Sequence, residues 1–150
     1  MTLKLRRARA GEAAELTTLI LASKRSNGYD DSFMAACADE LSVSEDDILT
    51  NQIWVADHGR LLGCVTLIPT PPTGEISSFF IHPDAKRQGV GRALWDKALT
   101  EAQAAGLTHL HLDADPEAVP FYEAMGFTTI GQTPSGSIPG RFLPKMERQL

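Results

Sequence analysis

Long apolar runs are missing from this 150-residue chain. No stretch approaches the roughly 18 to 20 residues that a membrane helix needs. The N-terminus, Met1-Thr2-Leu3-Lys4-Leu5-Arg6-Arg7, alternates polar and apolar residues where a secretion signal carries a long apolar core. These absences lead us to expect a cytoplasmic protein with no membrane partner. Cysteine is scarce too: Cys37 and Cys64 lie far apart in unlike contexts. One disulfide is permitted on paper, but a cytoplasmic setting favours two buried thiols. There is no basic excess, since 14 Lys and Arg stand against 19 Asp and Glu for a net charge of −5. A general nucleic-acid binder would need a basic stripe, so nucleic acid is not an expected partner. Internal repeats, low-complexity tracts and linkers are also lacking, and residues 1 to 150 read as one domain.

What the chain does contain is ordinary globular material, 43% hydrophobic and 22% charged. Residues 2 to 8 alternate as an opening strand, and Ala13, Leu16, Leu19, Ile20 and Ala22 fall at helical spacing over 11 to 25. Asn27-Gly28 breaks that helix, and Asp30-Asp31 starts a second through Leu41. Ser44 with Asp47 three residues on predicts a capped third helix. The period then changes. Gln52 to Ala56 and Leu61 to Ile68 are β-rich runs joined by a hairpin at Asp57-His58-Gly59-Arg60, and Glu75 to His82 is a third strand. Pro69-Thr70-Pro71-Pro72 is expected to end the strand before it, because proline lacks a ladder N–H. Helix 89 to 105, strand 108 to 113, helix 116 to 125 and strand 127 to 130 follow, with a last strand at 142 to 148. This mixed order indicates an α/β layer structure with helices covering a twisted sheet.

Two segments carry chemistry. Ile81-His82-Pro83-Asp84-Ala85-Lys86-Arg87-Gln88-Gly89-Val90-Gly91-Arg92 joins a strand to a helix through two closely spaced glycines. Glycine removes the Cβ and permits φ > 0, so successive N–H groups can converge on an anion at the positive end of the helix. Lys86, Arg87 and Arg92 add charge there, and a pyrophosphate is the natural ligand. The dinucleotide fingerprint fails because Leu94 stands where its third glycine belongs, and no Gly-Lys-Ser/Thr loop occurs. The second segment is Asp113-Ala114-Asp115-Pro116-Glu117-Ala118-Val119-Pro120-Phe121-Tyr122-Glu123-Ala124-Met125-Gly126-Phe127. A tyrosine on a short helix after a sheet strand reaches the strand ends, where open α/β sheets bind ligands. With a pKa near 10 its hydroxyl can protonate a leaving thiolate; a core tyrosine with a hydrogen-bonded tip has the same pattern.

Together these segments resemble the GCN5-related N-acetyltransferases, the GNAT family. The likeness runs from the opening strand through Phe127 and is most specific at residues 79 to 94 and 115 to 127. It implies a mixed, mostly antiparallel twisted sheet with a splayed strand pair, flanked by helices. It also implies transfer of an acetyl group from acetyl-CoA to an amine by direct attack, with no acyl-enzyme and no metal. By position, Lys86, Arg87, Gln88, Gly89, Val90, Gly91 and Arg92 would hold the pyrophosphate. Phe79, Phe80 and Ile81 would pair with the pantetheine through their backbones, Phe121 would touch the cofactor, and Tyr122 would protonate the CoA thiolate. The family usually opens its turn with Gln or Arg; Lys86 keeps the charge but not the planar fork. Where the family often has Asn, this chain has Glu117, whose carboxylate is a poor donor, and it is given no such role. The tail from Gln132 to Arg141 resembles a subgroup of bacterial members. The acceptor would be a small-molecule amine or a protein amino group. Family members often dimerise, so a homodimer is compatible, although no feature of this chain demands one. A different class of function, a non-catalytic CoA-binding sensor, would keep the turn and lose turnover.

Three further side chains have two readings each. Glu75, at the start of the strand leading to the turn, is where some members of that family carry a carboxylate base, acting directly or through water; it is otherwise a solvated edge residue or a carboxylate that only orients substrate. His109 and His111 share a strand face with Asp113 beyond, but the spacing matches no standard zinc signature, and surface histidines are the expectation. Arg141 follows the Ser-Gly-Ser-Ile-Pro-Gly loop and either holds a substrate carboxylate or is solvated.

Overall fold

The computed structural model describes residues 2–150. Strand β1 (Lys4–Arg7) leads into helix α1 (Ala13–Arg25), whose Leu16, Leu19 and Ile20 are buried on the sheet. Helix α2 (Asp31–Leu41) starts where the Asp30 side chain accepts the Phe33 N–H at 2.8 Å. Helix α3 (Glu45–Thr50) carries the reciprocal cap its sequence announces: Asp47 N–H donates to Ser44 Oγ at 3.0 Å and Ser44 N–H to Asp47 at 2.9 Å. Such a cap is worth about 1 kcal/mol. Strands β2 (Gln52–Asp57), β3 (Leu61–Thr70) and β4 (Thr73–Ile81) form the meander, and helix α4 (Val90–Ala104) crosses to β5 (His109–Asp113). Helix α5 (Val119–Ala124) and strands β6 (Thr128–Pro134) and β7 (Phe142–Gln149) complete the chain.

Several boundaries differ from the sequence expectation, and three of the differences have a local cause. Strand β3 does not stop at Ile68 but runs through Pro69 to Thr70, pairing with Gly74 and Thr73 of β4. The reason is local: β2 ends opposite Leu67, so beyond it β3 has a free edge where a missing N–H costs nothing. The segment 116 to 125 is not one helix; Pro116–Ala118 is a 3-10 turn and α5 begins at Val119. Pro120 has no N–H to give the carbonyl of Pro116, and its ring crowds that position. Strand β6 extends four residues past Ile130 because β7 pairs with it through Pro134↔Phe142.

The seven strands lie in the order β1-β2-β3-β4-β5-β7-β6, all neighbours antiparallel except β4 and β5. Side chains alternate across the sheet. Ile53, Val55 and Cys64 pack under α1 on one face; Val65, Leu67, Leu110 and Met146 pack with Leu94 and Ala98 of α4 on the other. Each fully buried leucine among them contributes about 1.5–3 kcal/mol. Cys37 and Cys64 are free, buried thiols on this scaffold, and burial pushes the Cys64 thiol up to about 12.

The feature that makes a site is where the sheet opens. Parallel pairing of β4 with β5 covers only Thr73↔His109, Gly74↔Leu110 and Glu75↔His111. Beyond Glu75 the two strands part, as the family resemblance implied. At the fork β4 carries one extra residue: Thr66 faces Ser78 while Leu67 faces Ile76, leaving Ser77 as a bulge that re-aims the strand.

Candidate active site

A cavity of about 1040 Å³ fills the fork. Residues 76 to 81 of β4 form one wall, the turn before α4 closes one end, and α1, α2 and the β6–β7 loop frame the other.

At the turn, the strand ends in a 3-10 turn, Pro83–Ala85, with the Asp84 N–H donating to His82 Nδ1 at 3.1 Å. The chain then enters the left-handed region twice, at Arg87 (φ 63°) and Gly89 (φ 81°), before α4 begins. No side chain caps α4, so its first N–H groups and the positive end of its dipole are left open to an anion. Lys86, Arg87, Gly89, Gly91 and Arg92 line the cavity. Gln88 and Val90 do not: the Gln88 side chain donates to the Asp84 carbonyl at 3.2 Å, and Val90 is buried in the core. For Val90 only the backbone remains for a ligand. A Cβ on Gly91 would stand 3.2 and 3.3 Å from ring carbons of Phe121, so this position is glycine because the two elements touch there. The cations are loosely held. Lys86 donates to Ser26 Oγ at 2.8 Å, and Arg92 lies 3.3 Å from Asp96.

Mid-cavity is aromatic. Phe79 meets Phe121 and Tyr122 edge-to-face at 5.2 and 6.2 Å, and Phe121 meets Tyr122 at 5.4 Å. Phe80 and Ile81 also line this wall. Tyr122 is buried yet lines the cavity, and its hydroxyl has no hydrogen-bond partner among the described residues. Burial, and then the charge of Asp115, raise its pKa well above the usual tyrosine value. The phenol therefore stays protonated through neutral pH and is free to donate.

The far end is ionic and largely dry. Asp115, at the mouth of β5, accepts from Lys24 Nζ and from Tyr29 Oη at 2.9 Å, and caps the 3-10 turn through the Glu117 N–H at 2.9 Å. Arg141 donates to Tyr29 Oη at 2.8 Å, lies 3.9 Å from Asp115, and spreads over the stacked rings of Tyr29 and Phe33. Burial alone would push Asp115 up, but the hydrogen bonds from Lys24, Glu117 N–H and Tyr29 outweigh it and hold the carboxyl below its ordinary value. Tyr29 is pushed up to about 12, by burial first and by its bond to Asp115 second.

The structure thus gathers Tyr122, Phe121, the β4 wall, five of the seven turn residues and Arg141 around one cavity. It does not bring in Glu75, which sits half-buried opposite Ile68 and His111 at the closed end of the fork and is not among the lining residues. His109 lies 3.7 Å from Glu147, and no group of three or more potential metal ligands forms among the described residues. Sequence reasoning passed over Lys24 and Tyr29. A signal for Lys24 existed: it continues the i, i+4 stripe of Leu16 and Ile20, a buried row where a solvated lysine does not belong. No comparable signal marks Tyr29.

Comparison with known proteins adds the following. A family model described as an acetyltransferase (GNAT) domain matches residues 31–137. A curated relative, the peptidyl-lysine N-acetyltransferase YjaB of Salmonella typhimurium, is 34% identical over 138 residues, covering 89% of this chain and 88% of its own. Among solved structures, a GCN5-related N-acetyltransferase from Rhodopseudomonas palustris superposes with a TM-score of 0.83 at 23% identity, covering 100% of this chain and 97% of that one. The PaiA N-acetyltransferase of Thermoplasma acidophilum, in complex with coenzyme A, also gives 0.83, at 16% identity and with full coverage of both chains.

Proposed function

The chain belongs to the GNAT acetyltransferase family, and from that premise we propose how its own residues carry acetyl from acetyl-CoA to a primary amine. The single observation behind the reading is that the uncapped end of α4 and the unpartnered hydroxyl of Tyr122 open into one cavity. The open N–H groups at residues 88 to 91, with Lys86, Arg87 and Arg92, receive the pyrophosphate. The backbone of Phe79, Phe80 and Ile81, parted from β5, offers its amide groups to the pantetheine, and the ring of Phe121 flanks it.

Tyr122 then sits where the thioester sulfur ends. As the amine nitrogen bonds to the carbonyl carbon and the carbon–sulfur bond breaks, Tyr122 gives its proton to the departing thiolate. The attacking nitrogen sheds a proton in turn. Glu75 lies outside the cavity, so its part as base runs through intervening water. Arg141 stands on the acceptor's side. None of these steps calls on a metal. The acceptor is a small-molecule amine or a protein amino group; the name of the Salmonella relative, a peptidyl-lysine acetyltransferase, supports the second. Residues 1–150 act as one acetyltransferase domain, which we place in the cytoplasm; no helix of the described residues is long and apolar enough to cross a membrane.

The test is release of CoA thiol, with product mass, from purified protein given acetyl-CoA and a broad panel of primary amines and lysine peptides. Thiol release that depends on the amine is the expected outcome. Tight CoA binding by calorimetry with no release across the panel would instead favour a sensor.

A further inference from the structure

The ionic end of the cavity holds more positive charge than its contacts balance. Lys24 and Arg141 both address one carboxylate, Asp115, and the three side chains are only 11%, 20% and 12% exposed. The other carboxylates lining the cavity are not in this group. Asp113, Glu40 and Glu117 are exposed, where solvent screens them, although Glu117 is still felt at Tyr29, and Asp47 belongs to the α3 cap, so the surplus is one of the buried side chains. Tyr29, the fourth member, stays neutral. A nearly buried cation without a full counter-charge is costly, so such a surplus is a place prepared for an anion. The pyrophosphate cannot fill it, because that group belongs at the opposite end with Lys86, Arg87 and Arg92.

We infer that the amine acceptor carries a carboxylate, which docks on the free edge of Arg141 beside Lys24 while its nitrogen faces Tyr122. This rests on the acetyl-transfer reading of the same cavity. Three features select that chemistry. Arg141 uses one Nη2 hydrogen for Tyr29, and its Nε and Nη1 make no hydrogen bond among the described residues; the second Nη2 hydrogen with one of these completes an edge of the planar fork for a two-oxygen acceptor. The excess is a single charge, which one carboxylate balances and a doubly charged phosphate overshoots. The Tyr29–Phe33 stack, at 4.0 Å between centroids, fixes the plane of the guanidinium from beneath. Arg141 is on this account a specificity-determining residue.

The experiment compares acceptors that differ only in that group. Acetyl transfer is measured with the full chain for α-amino acids and for straight-chain amino acids from glycine to 6-aminohexanoate, each against its primary amide. Lysine peptides serve as acceptors without a neighbouring carboxylate. The expected result is an acid favoured over its amide by about 10- to 100-fold in kcat/KM, the size of a charged hydrogen-bond pair. Arg141→Gln should erase that preference by raising KM for the acid, with a much smaller loss in kcat/KM for the amide; Arg141→Lys, which keeps the charge and guards against misfolding, should retain part of it. Acids and amides used equally would overturn the inference while leaving amine acetylation standing. So would an Arg141→Gln enzyme that is slowed equally on both, since that is what a mere loop brace would do. Failure to acetylate any amine would overturn the transfer reading itself, and this inference with it.

Discussion

The two ends of the cavity bind charge in opposite ways. At the α4 turn, the donors are backbone N–H groups, the glycine conformations leave them open, and the assisting side chain of Arg92 is 63% exposed. At the far end, Lys24, Asp115 and Arg141 are nearly dry and are held by contacts between distant elements, Lys24 and Asp115 lying 91 residues apart. Exposed cations cost little to keep and each contributes little. Buried ones cost several kcal/mol to desolvate and tolerate no missing partner. A backbone-built site suits a ligand that is always the same; a site of buried side chains suits a partner that must be told from others.

The sharpest way to break this contrast is Gly91→Val. The new side chain meets the Phe121 ring where a Cβ alone already stands at 3.2 Å, and it blocks approach to the helix end, so calorimetry should find no CoA binding in a protein that still folds. Retained affinity would refute the backbone-built reading. Between the two ends, Tyr122→Phe should lower kcat by about 10²- to 10⁴-fold with CoA affinity unchanged. Asp115→Ala strips two buried cations of their carboxylate and should cost about 3 kcal/mol in denaturant unfolding. A loss below about 1 kcal/mol would show that the far end is wetter than its burial implies.

Acid offers a milder probe of the same end. Asp115 titrates below its unfolded value, as does Glu12 through its bond to Arg6 and despite its burial. A carboxylate lowered on folding contributes stability that is full above its unfolded pKa, near 4, and lost as pH falls through the folded one. Stability should therefore decline below about pH 4, and Asp115→Ala should flatten the decline. The smallest effect belongs to the turn: Lys86→Ala should weaken CoA binding only a few-fold, and less at high salt, since it removes one exposed charge.

The same contrast explains what the sequence could tell. Gly89 and Tyr122 are legible because their settings are local, a left-handed turn and a short helix written in adjacent residues, whereas the contact of Gly91 with Phe121 is not. The caps at Asp30 and Ser44 were legible for that reason too. Of the far end only Arg141 was legible, as a residue that either holds a substrate carboxylate or is solvated; its partners were not. Lys24, Tyr29, Asp115 and Arg141 come from α1, the loop after it, the end of β5 and the β6–β7 loop, and only the sheet order brings them together. Glu75 shows what a position in the strand alone does not tell. Its place in the chain suggested the cavity, yet the three-residue pairing of β4 with β5 keeps it at the closed end of the fork.

That short pairing has a consequence for the life of the folded chain. Where the strands part, residues 76 to 81 face the fork without β5 beside them, and a cofactor bound there as proposed would complete the sheet. Completion of this kind is paid back through mass action: whatever binds only the folded form stabilises it by about 2.7 kcal/mol at a hundredfold excess over its Kd. If the fork binds acyl-CoA as proposed, the durability of this protein follows the acyl-CoA supply around it.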